Sequence, residues 1–285
     1  MVITFYQQDI IWGDAEANRQ KVEEQMAVSA AGADIFVVPE TFTTGFGDHM
    51  AALAEDQEGP TLQWARRMAE KYNLLFIGTW IVKENGKVYN RLHWVYPDGT
   101  DGTYGTYDKG HTFRVSGEYD VITRGTERKI FEYKGWRIKP AICYDLRFPK
   151  WLRNKGERLK VNCGRRPCGA KGETVSATSQ LSPLTFHLDY DLLLICANWP
   201  GSRHEAWTTL LKARAIENLS YVLGCNRSGV DGVGGKYTGN SALIDYKGFA
   251  VAEAEAGANQ SVTVSLDKEK LDTFRQHWPF YLDFD

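Results

Sequence analysis

The chain has 285 residues, a formal charge of −2 and an apolar fraction of 43%, which fits a soluble globular protein of one large or two small domains. Charge so evenly balanced excludes the basic stripe needed to neutralise nucleic-acid phosphates, and no apolar run is long enough to span a bilayer. Five cysteines at scattered spacings make no disulfide framework. With no basic-then-apolar leader in "MVITFYQQDIIWGD", they point to the reducing cytosol.

Strands and helices alternate at first. "VITFYQQ" reads as a strand, and "AEANRQKVEEQMAVSAAG" as an amphipathic helix ending at Gly32. "DIFVVPE" is a buried strand stopped by Pro39, "GPTLQWARRMAEKYN" a helix with Pro60 near its start, and "LLFIGTWIV" another buried strand. From Lys87 the pattern becomes ladder-like: "KVYNRLHWVYPDGT", then "RKIFEYKGWRIKPAIC", with turns at Pro97-Asp98-Gly99 and Lys134-Gly135. The strand "DLLLICAN", a helix from about His204 to Asn218 and the strand "SYVLGCNR" follow. Two last strands, "SALIDYKGFAVAEAE" and "SVTVSLD", close the sheet region. This order predicts mixed sheets with helices on their outer faces, in one domain of several layers.

Three polar residues stand where apolar runs stop or in the loops beside them. Cys143 ends "KPAIC" and is followed at once by Tyr144, Asp145 and Arg147; Glu40 ends "DIFVVPE"; Lys109 lies in "GTYGTYDKGHTF". Singly, each has a structural reading: an inert thiol, a solvated carboxylate, a surface lysine. Together they supply what attack on an amide requires. A thiolate is the nucleophile, a carboxylate moves protons, and a cation receives the oxyanion, all without a histidine.

The motifs "VVPETFTTGF", "YDKGHTFRVSGE" and "AICYDLRFP" resemble the glutamate, lysine and cysteine motifs of the nitrilase superfamily of carbon–nitrogen hydrolases. The resemblance extends through "CANWPGSRHEAWTTLLKARAIENLSYVLGCNRSGVDG" and "YTGNSALIDYKG", and is closest to the omega-amidase branch. It implies an α/β fold, a four-layer αββα sandwich of two mixed sheets with outer helices. It also implies assembly into a homodimer or larger homo-oligomer, and no metal or cofactor. Carried over motif by motif, Cys143 is the nucleophile, Glu40 the general base and acid, and Lys109 the oxyanion stabiliser. The Tyr144 N–H is the second oxyanion donor, and Glu118 in "RVSGEY" positions substrate and tunes the lysine. Trp199, in the "ANWP" loop, is expected to line the pocket. Arg114, Arg147 and Arg203 are candidates to grip a substrate carboxylate bidentately, and the sequence does not choose among them. The implied substrate is a small linear amide, 2-oxoglutaramate or 2-oxosuccinamate, with no role for nucleic acid or membrane. Rival readings are a hydrolase of N-carbamoyl compounds or deaminated glutathione, and a silent relative that serves as a binding protein.

Other residues have plainer readings. Cys196 and Cys225 lie in apolar strands and read as core. Arg214 and Glu217, three apart on a helix, read as a structural ion pair. The six histidines lack the close pairing of a metal-binding helix. Residues 1–285 form one domain on this reading, interrupted at about 155–187 by a Gly-, Ser- and Thr-rich basic insertion. That insertion is a lid, a contact arm or a segment without function.

Overall fold

The computed structural model describes residues 1–97, 104–155, 157–158 and 186–283. Two sheets face each other. The first contains β1 (Val2–Gln7), β2 (Ile35–Val37), β3 (Leu75–Glu84), β4 (Lys87–Val95) and β5 (Tyr104–Asp108). The second is built from β6 (Phe131–Tyr133), β7 (Trp136–Ile142), β8 (Leu192–Ala197), β9 (Tyr221–Asn226), β10 (Ala242–Ile244) and β11 (Ala250–Glu253). A last strand, β12 (Gln260–Ser265), returns to the first sheet. Strand orders are β12-β1-β2-β3-β4-β5, with the short strand Glu55–Asp56 beside β3, and β11-β10-β9-β8-β7-β6. Each sheet has a parallel centre (β1, β2, β3 and β7, β8, β9) with antiparallel flanks.

Three apolar clusters separate four layers. Ile3, Val37 and Ile77 of the first sheet meet Ile142, Leu194 and Leu223 of the second between the sheets. The outer face of the first packs on α1 (Ala15–Ser29) and α2 (Pro60–Tyr72), through Phe36 and Phe76 against Met26 and Trp64. The outer face of the second packs on α3 (His204–Asn218), through Leu193, Ile195 and Val222 against Trp207 and Leu211. This is the αββα sandwich, and it explains why the central strands read as unbroken apolar runs: they are buried on both faces. Cys196 and Cys225 sit in the inter-sheet cluster, fully buried.

Local chemistry sets the boundaries. Asp14 caps α1 by accepting the Ala17 N–H at 3.0 Å. The helix stops at Ser29, three residues before the expected Gly32, because Gly32 at φ +75° belongs to the turn that follows rather than to the cap. Lys134 and Gly135 both have positive φ and make the tight hairpin between β6 and β7. The run "SALIDYKGFAVAEAE" is two strands, not one. Asp245 accepts the N–H groups of Lys247 and Phe249, each at 2.9 Å, and folds the chain back as β10 and β11. A further helix, α4 (Lys268–His277), was not expected; Asp267 caps it through the Lys270 N–H at 3.0 Å. The turn at Asp98-Gly99 and most of the insertion lie outside the described residues.

Candidate active site

The ends of four strands converge. Pro39 stops the chain after β2 and Glu40 follows, wholly buried. Its backbone path is held by Thr79, whose Oγ1 accepts the N–H of Thr41 at 2.7 Å. Lys109 directly follows β5 and is 1% exposed. Its Nζ donates to Glu40 Oε1 at 2.8 Å and to both oxygens of Glu118 at 2.9 Å. Glu118 opens a short helical turn, and its Oε2 also accepts the Phe113 N–H at 2.6 Å. Asn90, in the middle of β4, donates to Glu40 at 2.8 Å and to Glu118 at 3.3 Å. On the opposite sheet, the Asn198 N–H donates to Glu40 Oε2 at 2.8 Å.

Cys143 directly follows β7 and opens a single 3₁₀ turn, Cys143–Arg147. Its φ of +43° is the left-handed region, uncommon for a side chain of this kind. The half-buried thiol faces a cavity of about 720 Å³. Lys109, Phe113, Tyr144, Asn198 and Trp199 also line it.

Electrostatics follow from burial and from two carboxylates around one ammonium. Burial penalises the charge on Lys109, but Glu118 and Glu40 outweigh that and hold its pKa above the ordinary value. Burial also raises Glu118; Lys109 opposes this, and repulsion from Glu40 adds to it. Burial is the first cause that pushes the Cys143 thiol well up, reinforced by the charge of Glu40 and a hydrogen bond to it, with Lys109 pulling the other way. The resting nucleophile is therefore a thiol. Its proton has to be taken by a neighbour, and Glu40 is the carboxylate that acts most strongly on it.

The sequence-derived residues divide clearly by position. Glu40, Lys109, Glu118 and Cys143 meet in one constellation, and Tyr144 and Trp199 stand on the cavity wall. Arg147 and Arg203 are also on that wall, with guanidinium groups over the rings of Trp199 (5.0 Å) and Phe113 (5.1 Å). Arg114 is not: its guanidinium covers the Tyr119 ring at 4.0 Å. Arg214 pairs with Glu217 at 2.9 Å and also donates twice to the Leu146 carbonyl, clamping the nucleophile's turn from α3. Asn90 escaped the sequence reading. Its one signal is an amide within a strand, between Tyr89 and Arg91.

A family model described as carbon–nitrogen hydrolase matches residues 3–276. The chain belongs to the carbon–nitrogen hydrolase family. Similar relatives include omega-amidase YafV of Yersinia enterocolitica, 38% identical across 99% of this chain and 96% of the relative. The 2-oxoglutaramate amidase of Bacillus subtilis is 30% identical over the same shares. Among solved structures, a CN-hydrolase superfamily protein from Xanthomonas campestris is 38% identical, with a TM-score of 0.87 over 100% of this chain and 97% of that one. Its structure holds an arsenic adduct in the active site. This carbon–nitrogen hydrolase is thus similar along its whole length to the branch that its motifs indicate. Among its described residues, no helix is long and apolar enough to cross a membrane.

Proposed function

We propose that the protein hydrolyses the terminal amide of a short 2-oxo-dicarboxylic acid monoamide, 2-oxoglutaramate or 2-oxosuccinamate, through a thioester on Cys143. The observation that carries this reading is that Lys109 and Cys143 line one cavity, with Glu40 buried directly behind Lys109, and that the same wall bears Arg147 and Arg203. Similarity to omega-amidase YafV and to a 2-oxoglutaramate amidase supports the substrate class.

Glu40 takes the thiol proton, and the sulfur attacks the amide carbon. The oxyanion rests against Lys109 and the Tyr144 N–H, where one such donor typically contributes about 3 kcal/mol. Glu40 returns the proton to the nitrogen, and ammonia leaves as the carbonyl re-forms. A water then gives a proton to Glu40 and attacks the thioester. Collapse expels the sulfur, which recovers the proton from Glu40. Glu118 holds Lys109 as an ammonium aimed at the oxyanion. Arg147 and Arg203, both on the cavity wall, are proposed to receive the distal carboxylate.

The protein is read as a cytosolic homo-oligomer of one domain, with an insertion at 155–187. The buried free thiols of Cys196 and Cys225 support the compartment, and a family match spanning residues 3–276 supports the single domain. A cavity of about 720 Å³ also admits a longer amide. The test is therefore ammonia release from 2-oxoglutaramate, 2-oxosuccinamate, propionamide and deaminated glutathione. The two 2-oxo acids should be turned over far faster than propionamide. Equal turnover of propionamide rules out carboxylate recognition, and preference for deaminated glutathione moves the chain to the longer substrate.

A further inference from the structure

The site is split between two sheets. Glu40 and Lys109 follow β2 and β5 of the first; Cys143 and Asn198 follow β7 and β8 of the second. The nucleophile's distance from its partners thus depends on how the sheets are locked at this end. An apolar interface is non-directional and does not by itself fix that register.

Several polar links cross the seam, and two of them are made by residues next to the reacting groups. Asn198 donates its main-chain N–H to Glu40 Oε2, and its side-chain amide to Thr41 Oγ1 at 2.9 Å and to the Glu40 carbonyl. Asp145 makes the other, two residues past the nucleophile and fully buried. Its Oδ2 accepts the N–H of Ile142, the last residue of β7, at 3.1 Å, and the Tyr107 O–H at 2.7 Å, from β5. Its Oδ1 lies 2.8 Å from His111 Nδ1. Cys143 is enclosed between Ile142 and Asp145, and Lys109 between Tyr107 and His111. One carboxylate therefore ties the turn that bears the nucleophile to both sides of the segment that bears the lysine.

The donors and acceptors balance. The Tyr107 oxygen accepts from Trp151 Nε1 at 2.8 Å and from the Gly110 N–H at 3.3 Å, so its own proton goes to Asp145. With Tyr107 donating to Oδ2, the Nδ1–H tautomer of His111 is the matching donor for Oδ1. Gly110 has to be glycine for this packing, since a Cβ there would come within 2.6 Å of the Trp151 ring. The positive φ of Cys143 is a strained setting that persists only where its surroundings over-determine it. Asp145 on one side and Arg214, on the Leu146 carbonyl, supply that determination.

We propose that Asp145 is a positioning residue: through Tyr107 and His111 it holds the Cys143 turn in register with Lys109 across the two sheets. The proposal rests on the Cys143 chemistry proposed above. Its test compares Asp145→Asn, Tyr107→Phe, His111→Leu and His111→Asn with Asp191→Asn. Asp191 is an equally buried carboxylate holding Arg137, Lys268 and Arg275, but at the opposite end of β8 from Asn198.

Asp145→Asn and Tyr107→Phe should lower kcat on the order of a hundredfold with KM little changed, as expected for misplaced reacting groups. Alkylation of Cys143 by iodoacetamide, which needs no substrate, should slow as well. His111→Asn, which can keep a donor near Nδ1, should retain turnover that His111→Leu loses. Asp191→Asn should lose thermal stability yet keep kcat. Equal loss of kcat in Asp145→Asn and Asp191→Asn, in step with stability, overturns the proposal. If Asp145→Asn does not fold, unchanged kcat in Tyr107→Phe and His111→Leu overturns it instead. Should the wild type release no ammonia from any amide, the proposed function fails, and the alkylation rates alone decide for or against Asp145.

Discussion

Replacing Glu118 by glutamine separates the charge of the site from its geometry. Each Glu118 oxygen lies 2.9 Å from Lys109 Nζ, and Oε2 also accepts the Phe113 N–H at 2.6 Å. Glutamine keeps one acceptor and turns the other into an NH₂ that faces two donors, so one bond to the ammonium is lost. A hydrogen bond to a charged group contributes about 1.5–3 kcal/mol. At about 1.4 kcal/mol per tenfold in rate, kcat/KM should fall roughly ten- to a hundredfold. The thiol should respond in the opposite sense. Its pKa is raised first by burial and then by neighbouring carboxylates, Glu118 among them. Removing that charge leaves Cys143 easier to ionise. Ammonia release and iodoacetamide alkylation, each followed against pH on the same preparation, read the two effects. Turnover should fall while the alkylation profile moves to lower pH. An alkylation rate that falls in step with turnover would refute the electrostatic argument, and unchanged turnover would remove Glu118 from the machinery.

Stability should depend on Asp191 at acid pH. Burial would raise this carboxyl, but hydrogen bonds from Arg137 and Lys268 and the charge of Arg275 hold it well below the usual carboxylate range. A folded-state pKa below the unfolded one means stability that is present above about pH 4 and is lost as pH falls toward the folded value. Thermal melts from pH 7 to pH 2 should show that loss in the wild type and a shallower one in Asp191→Asn. The variant should already be less stable at neutral pH by about 3 kcal/mol, the lower end for a broken buried pair, since Lys268 and Arg137 are partly exposed. Parallel acid profiles would contradict this. The insertion should be dispensable for folding: the Lys155 N–H donates to Asp189 Oδ2 at 3.0 Å, and Glu157–Arg158 pair with Phe186–His187. Replacing residues 159–185 by a short Gly/Asn turn should leave the melting temperature unchanged, and an insoluble product would count against it.

The site was legible where strand ends marked it. In sheets buried on both faces the core strands are unbroken apolar runs, so Glu40 and Cys143, each the first polar residue after such a run, stood out. What the chain could not show was anything built across the two sheets. Asn90 sits within a strand of mixed pattern, and Tyr107, His111 and Asp145 read as ordinary polar residues until the sheets bring them together. Arg114 looked equivalent to Arg147 and Arg203, because direction off a turn is not encoded in residue type. Mixed sheets with outer helices followed from the alternation of elements and the four layers from the family resemblance, but the break at Asp245 and the helix after Asp267 depended on single side chains satisfying backbone N–H groups.

The central claim is a covalent acyl group on Cys143, and rapid-quench mass spectrometry of the protein during turnover of 2-oxoglutaramate tests it most directly. The peptide containing Cys143 should gain the mass of the substrate less ammonia, and the adduct should disappear in Cys143→Ser along with turnover. An acyl adduct on another residue, or ammonia release undiminished in Cys143→Ser, would contradict it.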